Sequence, residues 1–267
     1  MKARTRSFSL SGRAPAVAVV FCFAVLGCVT STAPLGDEPV YVVRRAKEPP
    51  RLEGRWDGRT WRKANTLEVT HFLPESTEGL PASDHRPVTK ARVLYDDAGL
   101  YVHFRVKDRY VRSVATEYRG KVWEDACAEF FVQPKAGRGY FNFEINCGGT
   151  MLLSYHEDPA WQGQPLRKAG AVPWELAQQV QIVHTMPEVV DPEIADRVVW
   201  QLEYFIPFSL LEMYVGPVGD VGGQIWRANF YKIAETNSHP HFAAWSPVRD
   251  GVSFHQPRFF GILRLEP

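Results

Sequence analysis

The sequence predicts an all-β fold, an antiparallel β-sandwich of jelly-roll or immunoglobulin-like kind in a single domain. Three features carry this expectation: many short runs of alternating apolar and polar residues, turn signals rich in Gly, Pro and Asp between them, and no amphipathic helix of normal length. The chain has 267 residues, 45% hydrophobic and 13% aromatic, enough to fill one large β domain or two small ones. No internal repeat, low-complexity block or long charge run marks a boundary, so one domain over residues 40–267 is the simplest account.

The elements follow in order. Val40–Arg45 is an extended stretch leading into Leu52-Glu53-Gly54-Arg55-Trp56-Asp57, where Gly and Asp punctuate a turn. Trp61 and Ala64 stand at helical spacing and predict a short turn before a strand over Leu67–Phe72. Thr89–Leu94 and Leu100–Val106 flank Tyr95-Asp96-Asp97-Ala98-Gly99 and predict a hairpin. A second hairpin is written by Ala128–Gln133 and Tyr140–Asn146, with Met151–Tyr155 extending it as a meander. Further strands are expected over Val180–His184, Val198–Ile206, Gln224–Ile233 and Phe259–Leu265, with a brief helical turn at Pro207–Leu211.

The first 27 residues read differently. Lys2, Arg4, Arg6 and Arg13 precede an apolar stretch from Ala14 to Leu26 that is short for a bilayer span and has the size of a signal-peptide core. Val25-Leu26-Gly27-Cys28 resembles a bacterial lipobox, which implies that Cys28 is diacylated and becomes the first mature residue; ordinary cleavage nearby is the alternative. Residues 28–39, rich in small residues, then form a tether. The expectation is an exported protein of a bacterial cell envelope, held to the membrane by its lipid and monomeric. With 31 basic and 30 acidic residues, no broad positive footprint for a phosphate backbone exists, so nucleic acid is not an expected partner.

The informative segment is Trp123-Glu124-Asp125-Ala126-Cys127-Ala128-Glu129-Phe130-Phe131-Val132. Alternation sets Ala128, Phe130 and Val132 on a core face and Cys127, Glu129 and Phe131 on the other, with Trp123 placed to overhang that second face. In the partner strand Phe141, Phe143 and Ile145 are the apolar set, leaving Asn142, Glu144 and Asn146 polar. Carboxylates and amides beside an indole suit a sugar: acceptors and donors for adjacent hydroxyls, with a ring for the apolar C–H face. For Trp123 the competing role is loop packing. Asp125 and Asp57 read as turn formers, and Trp56, Trp61 and Trp226 as carriers of the fold.

Trp-Glu-x-Asp-x-x-Glu-Phe-Phe followed by Gly-Tyr-Phe-Asn-Phe-Glu-Ile-Asn resembles the central motif of family 9 carbohydrate-binding modules. The opening Leu52-Glu53-Gly54-x-Trp56-Asp57-x-x-x-Trp61-x-x-Ala64 and the run Leu94–Val102 are similar to a divergent, stand-alone branch of that family. The resemblance covers nearly the whole mature chain. It implies non-catalytic binding of an oligo- or polysaccharide, in support of polysaccharide degradation or uptake, by two tryptophans that enclose a terminal sugar while charged and amide groups hold its hydroxyls. Carried over by position, Trp123 is the first wall, Glu129 the hydroxyl-binding carboxylate, Asn146 a binding amide and Trp245 the second wall. Glu144 departs from the basic residue that characterised sugar-binding members place there, and Arg227 and Asn229 are candidates to supply the missing donors. The resemblance also implies structural calcium, for which Asp57 and Asp96-Asp97 offer oxygens without completing a ligand set.

Other functional classes draw on the same kinds of residue. Asp125, Glu129 and Glu144 could furnish the acid and base of a glycoside hydrolase, although nothing else suggests catalysis. Exported sandwiches of similar topology hold b-type haem through a Met with a Lys or His, and Met151, Met186, Met213, His103, His156 and His184 are available; no Cys-x-x-Cys-His motif appears. His239-Pro240-His241 with Glu235 could attract zinc. Cys127 and Cys147 pose a question of register. If Pro134 pairs with Tyr140, the two cysteines fall opposite each other and Glu129 leaves the face of Asn146; a shift of one residue restores the polar face and separates the thiols. The expectation is the second register, with no bridge between Cys127 and Cys147.

Overall fold

The structure, a computed structural model, describes residues 38–73, 83–157, 169–249 and 253–267. The proposed signal peptide, Cys28 and the tether up to residue 37 lie outside the described residues. Residues Asp37–Pro267 form one compact unit. Its strands are β1 (Val40–Arg45), β2 (Leu67–Val69), β3 (His71–Phe72), β4 (Val88–Tyr95), β5 (Gly99–Asp108), β6 (Val111–Ser113), β7 (Cys127–Gln133) and β8 (Tyr140–Asn146), then β9 (Met151–His156), β10 (Ala169–Ala171), β11 (Gln181–His184), β12 (Val190–Ile194), β13 (Val198–Pro207), β14 (Ile225–Ala234), β15 (His241–Ala244) and β16 (Gly261–Leu265). Two short helices, α1 (Trp174–Ala177) and α2 (Phe208–Val215), complete it.

The strands form a β-sandwich. One sheet runs β10-β9-β8-β7-β14-β16-β1, with β15 and β3 added beside the far half of β14; the other runs β1-β4-β5-β13-β11, with β2 on β4. β1 belongs to both, because Val40–Val43 pair with β16 and Arg44–Arg45 with β4. Both pairings are parallel, the exception to an otherwise antiparallel sandwich. A hairpin dictates antiparallel direction; β1 is joined to neither neighbour by one, and the long connection over residues 46–87 lets it lie parallel to β4.

Period-two patterning explains the layers. Ala128, Phe130 and Val132 of β7 and Phe141, Phe143 and Ile145 of β8 enter the core between the sheets, where they meet Val93, Val102 and Phe104 of β4 and β5. Phe104, Phe130 and Phe230 interlock there, with ring centroids 4.8–6.0 Å apart. At the β4–β5 turn the Asp96 carboxylate accepts from Ala98 N–H, Gly99 N–H and the Tyr101 hydroxyl at 2.8–3.1 Å. Gly99 is required there, since a Cβ would lie 2.1 Å from the Ile206 carbonyl oxygen. The turn expected at Pro207–Leu211 continues as α2 for two turns, burying Phe208, Leu210, Leu211 and Val215; it ends at Gly216, whose φ of +73° is open to glycine.

The opening Trp56/Trp61 segment covers the outer face of the second sheet. Glu203 accepts from Glu53 N–H, Gly54 N–H and the Trp61 indole at 2.6–3.0 Å, and both indoles stand edge-on to the buried His103 ring. These tryptophans carry the fold. Trp226, 1% exposed against Phe208, does the same.

The register of the β7–β8 hairpin places Cys127 opposite Asn146, Glu129 opposite Glu144 and Phe131 opposite Asn142. This is the register that keeps Glu129 and Glu144 on one face. Cys127 and Cys147 are both buried thiols, and they belong to clusters on opposite sides of the sheet, which a disulfide of ordinary geometry could not join.

Candidate functional site

The outer face of the first sheet is not flat. Glu129 and Phe131 of β7, Asn142 and Glu144 of β8, Leu152 and His156 of β9 and Ile233 of β14 floor a cleft of about 390 Å³. Its walls are Trp123, from the 3-10 turn Val122–Glu124 just before β7, Phe242 of β15, and Phe254 and His255 from the segment before β16. Glu235 and Leu73 also line it. Trp123 is held by its backbone, whose carbonyl accepts from Glu235 N–H at 3.2 Å while the Glu124 carbonyl accepts from Thr236 N–H at 3.0 Å. Phe254 is stacked on Tyr231 at 4.0 Å, which makes that wall rigid.

The floor carries buried polar groups among apolar ones. Glu129 is 2% exposed, and no donor among the described residues hydrogen-bonds its carboxyl. Asn142 donates through Nδ2 to Glu144 at 2.7 Å, and its Oδ1 meets His156 Nε2 at 3.2 Å. His156 lies flat on Tyr140, whose hydroxyl meets His255 Nδ1 at 2.9 Å. The His156 Nδ1 atom has no partner. Burial, reinforced by the negative charges of Glu144 and Glu235, pushes Glu129 well above the usual carboxylate range; burial also lifts Glu144, to about 7, against the opposing hydrogen bond from Asn142. Burial holds His156 down at about 3 and His255 at about 4, so both rings are neutral near pH 7.

A pH dependence of stability follows. A carboxyl whose folded pKa is raised contributes stability that is fully present below its unfolded value and is lost as pH rises through the folded one. For Glu144 that window runs from 4.5 to about 7. Glu144→Gln is therefore expected to gain on the parent as pH rises from 5 to 8, by up to about 3 kcal/mol. Urea unfolding of both proteins at each pH measures this, and comparing the pair cancels the contribution of the histidines. A difference independent of pH would show that Glu144 is not held neutral.

Of the seven binding residues expected from sequence, Trp123, Glu129 and Glu144 line the cleft and the other four do not. Asn146 donates to Asp125 and to the Ala115 carbonyl, both at 2.9 Å, and accepts from Thr150 N–H at 2.8 Å. With Asp125, which also receives Val114 and Ala115 N–H, it ties the strand entry behind Trp123. Asn229 is spent on Ser246, donating to its carbonyl and accepting from its N–H. Arg227 binds Glu38 and the Phe260 carbonyl, four residues along β14 from the partner of Glu129, about 13 Å away. Trp245, 8% exposed, projects to the other side of the sheet, edge-on to Phe230 and over Gly261. It is core, not a wall.

The aromatic residue that this segment does contribute is Phe242. Its signal was present in the alternation His241-Phe242-Ala243-Ala244-Trp245, because Phe242 and Trp245 differ in parity and cannot share a face. Asn142 stood on the polar face from the start. His156, Phe254 and His255 had no local signature, since only the folding of distant segments brings them to the floor or rim.

The other expected sites do not assemble among the described residues. Met151 and Met186 are in the inter-sheet core and Met213 is exposed on α2, while His103 is enclosed by Trp56 and Trp61, His156 lines the cleft on the outer face and His184 meets the Met186 carbonyl through Nδ1 at 2.8 Å. His241 contacts Lys232 Nζ at 2.8 Å and His239 stacks on Tyr110; no group of three metal-binding side chains is found among the described residues. Asp96 accepts three hydrogen bonds within its own turn and Asp97 pairs with Arg45, and no group of three metal-binding side chains includes them among the described residues.

Comparison with known proteins gives the following. The model of carbohydrate-binding family 9 matches residues 72–265. Among solved structures, the chain is similar to a candidate carbohydrate-binding protein from Bacteroides uniformis, at 27% identity and a TM-score of 0.71 over 86% of this chain and 100% of that one. A family 9 module from Caldicellulosiruptor kristjanssonii in complex with cellotriose aligns at 13% identity and a TM-score of 0.56, covering 85% and 94%. The same organism's module with glucose aligns at 12% and 0.51, covering 84% and 95%. No curated protein sequence matches.

Proposed function

The chain belongs to carbohydrate-binding family 9, and from that premise we propose that it binds a carbohydrate, without cleaving it, in the cleft over β7 and β8. The observation that carries this reading is the Glu129 carboxyl, buried and without a hydrogen-bond donor among the described residues on the floor of an aromatic-walled cleft. A buried polar group lacking a hydrogen bond is costly, and it is tolerated where a ligand supplies the missing partner. Sugar hydroxyls do so. Glu129, the Asn142–Glu144 pair and the neutral His156 offer hydrogen-bonding groups for them, while Trp123 and Phe242 offer apolar faces.

Binding is favoured over hydrolysis by the arrangement of the carboxyls. A glycosidase needs an acid and a base or nucleophile flanking the scissile bond, poised in different protonation states. Glu129 and Glu144 stand side by side on one floor, and burial raises both. Asp125, the third carboxylate considered from sequence, is consumed by backbone donors.

The test is a glycan array on the purified protein. Binding to at least one oligosaccharide, lost in Glu129→Ala, is expected; an array with no binding would overturn the reading. We further propose that the protein works as a monomer on a bacterial cell surface, anchored through Cys28, and presents polysaccharide to separate enzymes or to an uptake system. Fatty-acid labelling that survives Cys28→Ser would defeat the anchor.

A further inference from the structure

We propose that the cleft takes a glycan bearing a free amine, a hexosamine unit whose 2-amino group is unacetylated, with its ammonium seated against Glu129 and Glu144. The inference rests on the carbohydrate reading of this cleft and names the class of sugar.

Three observations converge. Glu129 and Glu144 are direct cross-strand partners on one face, which sets their Cβ atoms about 5 Å apart. They are 2% and 6% exposed, and no Lys or Arg lines the cleft among the described residues. Lys232, in the same stretch of β14, points through the opposite face toward Asp108, 3.5 Å away. Second, the free polar atoms are acceptors. Asn142 occupies one oxygen of Glu144, and among the described residues neither its other oxygen nor Glu129 receives a hydrogen bond. Third, and independent of the carboxyls, His156 is 6% exposed and lines the same cleft with Nδ1 unpartnered. With Nε2–H directed to Asn142 Oδ1, that nitrogen is a buried acceptor without a donor among the described residues.

Each class of ligand meets this surface differently. A neutral sugar offers hydroxyl donors to the carboxyls but no charge to balance them when they ionise. A uronic acid brings a charge of the same sign into a poorly solvated site and is repelled. An ammonium carries three N–H donors and a positive charge, so it satisfies open acceptors and lets the carboxyls ionise in its presence. Burial raises both Glu129 and Glu144 toward their protonated forms, and an ammonium seated beside them favours ionisation, so its binding is expected to release protons to solvent.

The test compares four tetrasaccharides by titration calorimetry on the full-length protein at pH 6: β-1,4-linked glucosamine, its fully N-acetylated counterpart, cellotetraose and a galacturonic acid tetramer. The glucosamine tetramer is expected to bind at least tenfold more tightly than cellotetraose, and the galacturonic tetramer most weakly. In Glu129→Gln and Glu144→Gln, which keep size and hydrogen-bonding capacity, that preference is expected to fall to within about threefold. Repeating the parent titration in buffers of different ionisation enthalpy should reveal proton release with the amine alone. If cellotetraose or the acetylated tetramer binds as well as or better than the amine, the amine inference is overturned and the carbohydrate reading stands. If no tetramer binds, both fall.

Discussion

Replacing Lys232 with Ala is expected to destabilise the protein by about 3–5 kcal/mol, because it leaves a buried charge uncompensated. Lys232 is on the core side of β14, 0% exposed, with Nζ 3.5 Å from Asp108 Oδ2 and 2.8 Å from His241 Nε2. Asp108, at the end of β5 in the other sheet, also meets His85 Nε2 at 2.7 Å and accepts from the Trp200 indole at 3.1 Å. Burial acts to raise its pKa, yet the Lys232 ammonium and these hydrogen bonds outweigh it and hold Asp108 well below the usual range. The pair thus clasps the two sheets at one end of the core. Urea unfolding at pH 7 measures the loss. Lys232→Met combined with Asp108→Asn keeps the volume and the acceptor for Trp200, and it is expected to recover most of it. A Lys232→Ala cost below about 1 kcal/mol would mean that the ammonium is solvated and not a partner of Asp108.

The second large effect is on affinity. Once a bound glycan is known, Trp123→Ala and Phe242→Ala are each expected to weaken binding by about 2–4 kcal/mol, roughly thirtyfold to a thousandfold, as loss of a central aromatic contact does. Both rings are half-buried on the cleft wall, so neither truncation opens a large cavity and unfolding midpoints should move little. Trp245→Ala should do the reverse. That ring fills the inter-sheet core over Gly261, and its removal is expected to cost about 3–5 kcal/mol of stability with affinity intact in the folded fraction. Calorimetric binding and urea unfolding on the three variants separate the two roles. A Trp245 variant that folds normally and loses the glycan would show that the walls have been misplaced.

These contrasts locate what could be read along the chain. The hairpins, the turn at Asp96–Gly99 and the polar faces of β7 and β8 were legible because each depends on neighbours a few residues apart: alternation for the strands, Gly and Asp for the turns. The pairing of Glu129 with Glu144 was legible once one of two registers was chosen, and chemistry chose it, since only that register gathers the polar side chains. Short elements such as β6, β12 and β15 were missed. β15 is a strand because it pairs along β14 and β3, and β6 and β12 because they pair with each other, not because their own residues demand it.

By itself, then, the sequence determined the β class, most strand limits, and three members of the cleft, Trp123, Glu129 and Glu144. The tertiary structure alone decided that β1 lies parallel between two sheets, that Phe242 rather than Trp245 faces the cleft, that Asn146 and Asn229 serve the backbone, and that His156 and His255 close on the carboxyls. The reason is physical: which way a side chain alternates is a property of its own strand, whereas what it meets is set by packing with segments often a hundred residues away, and no local preference encodes that distance.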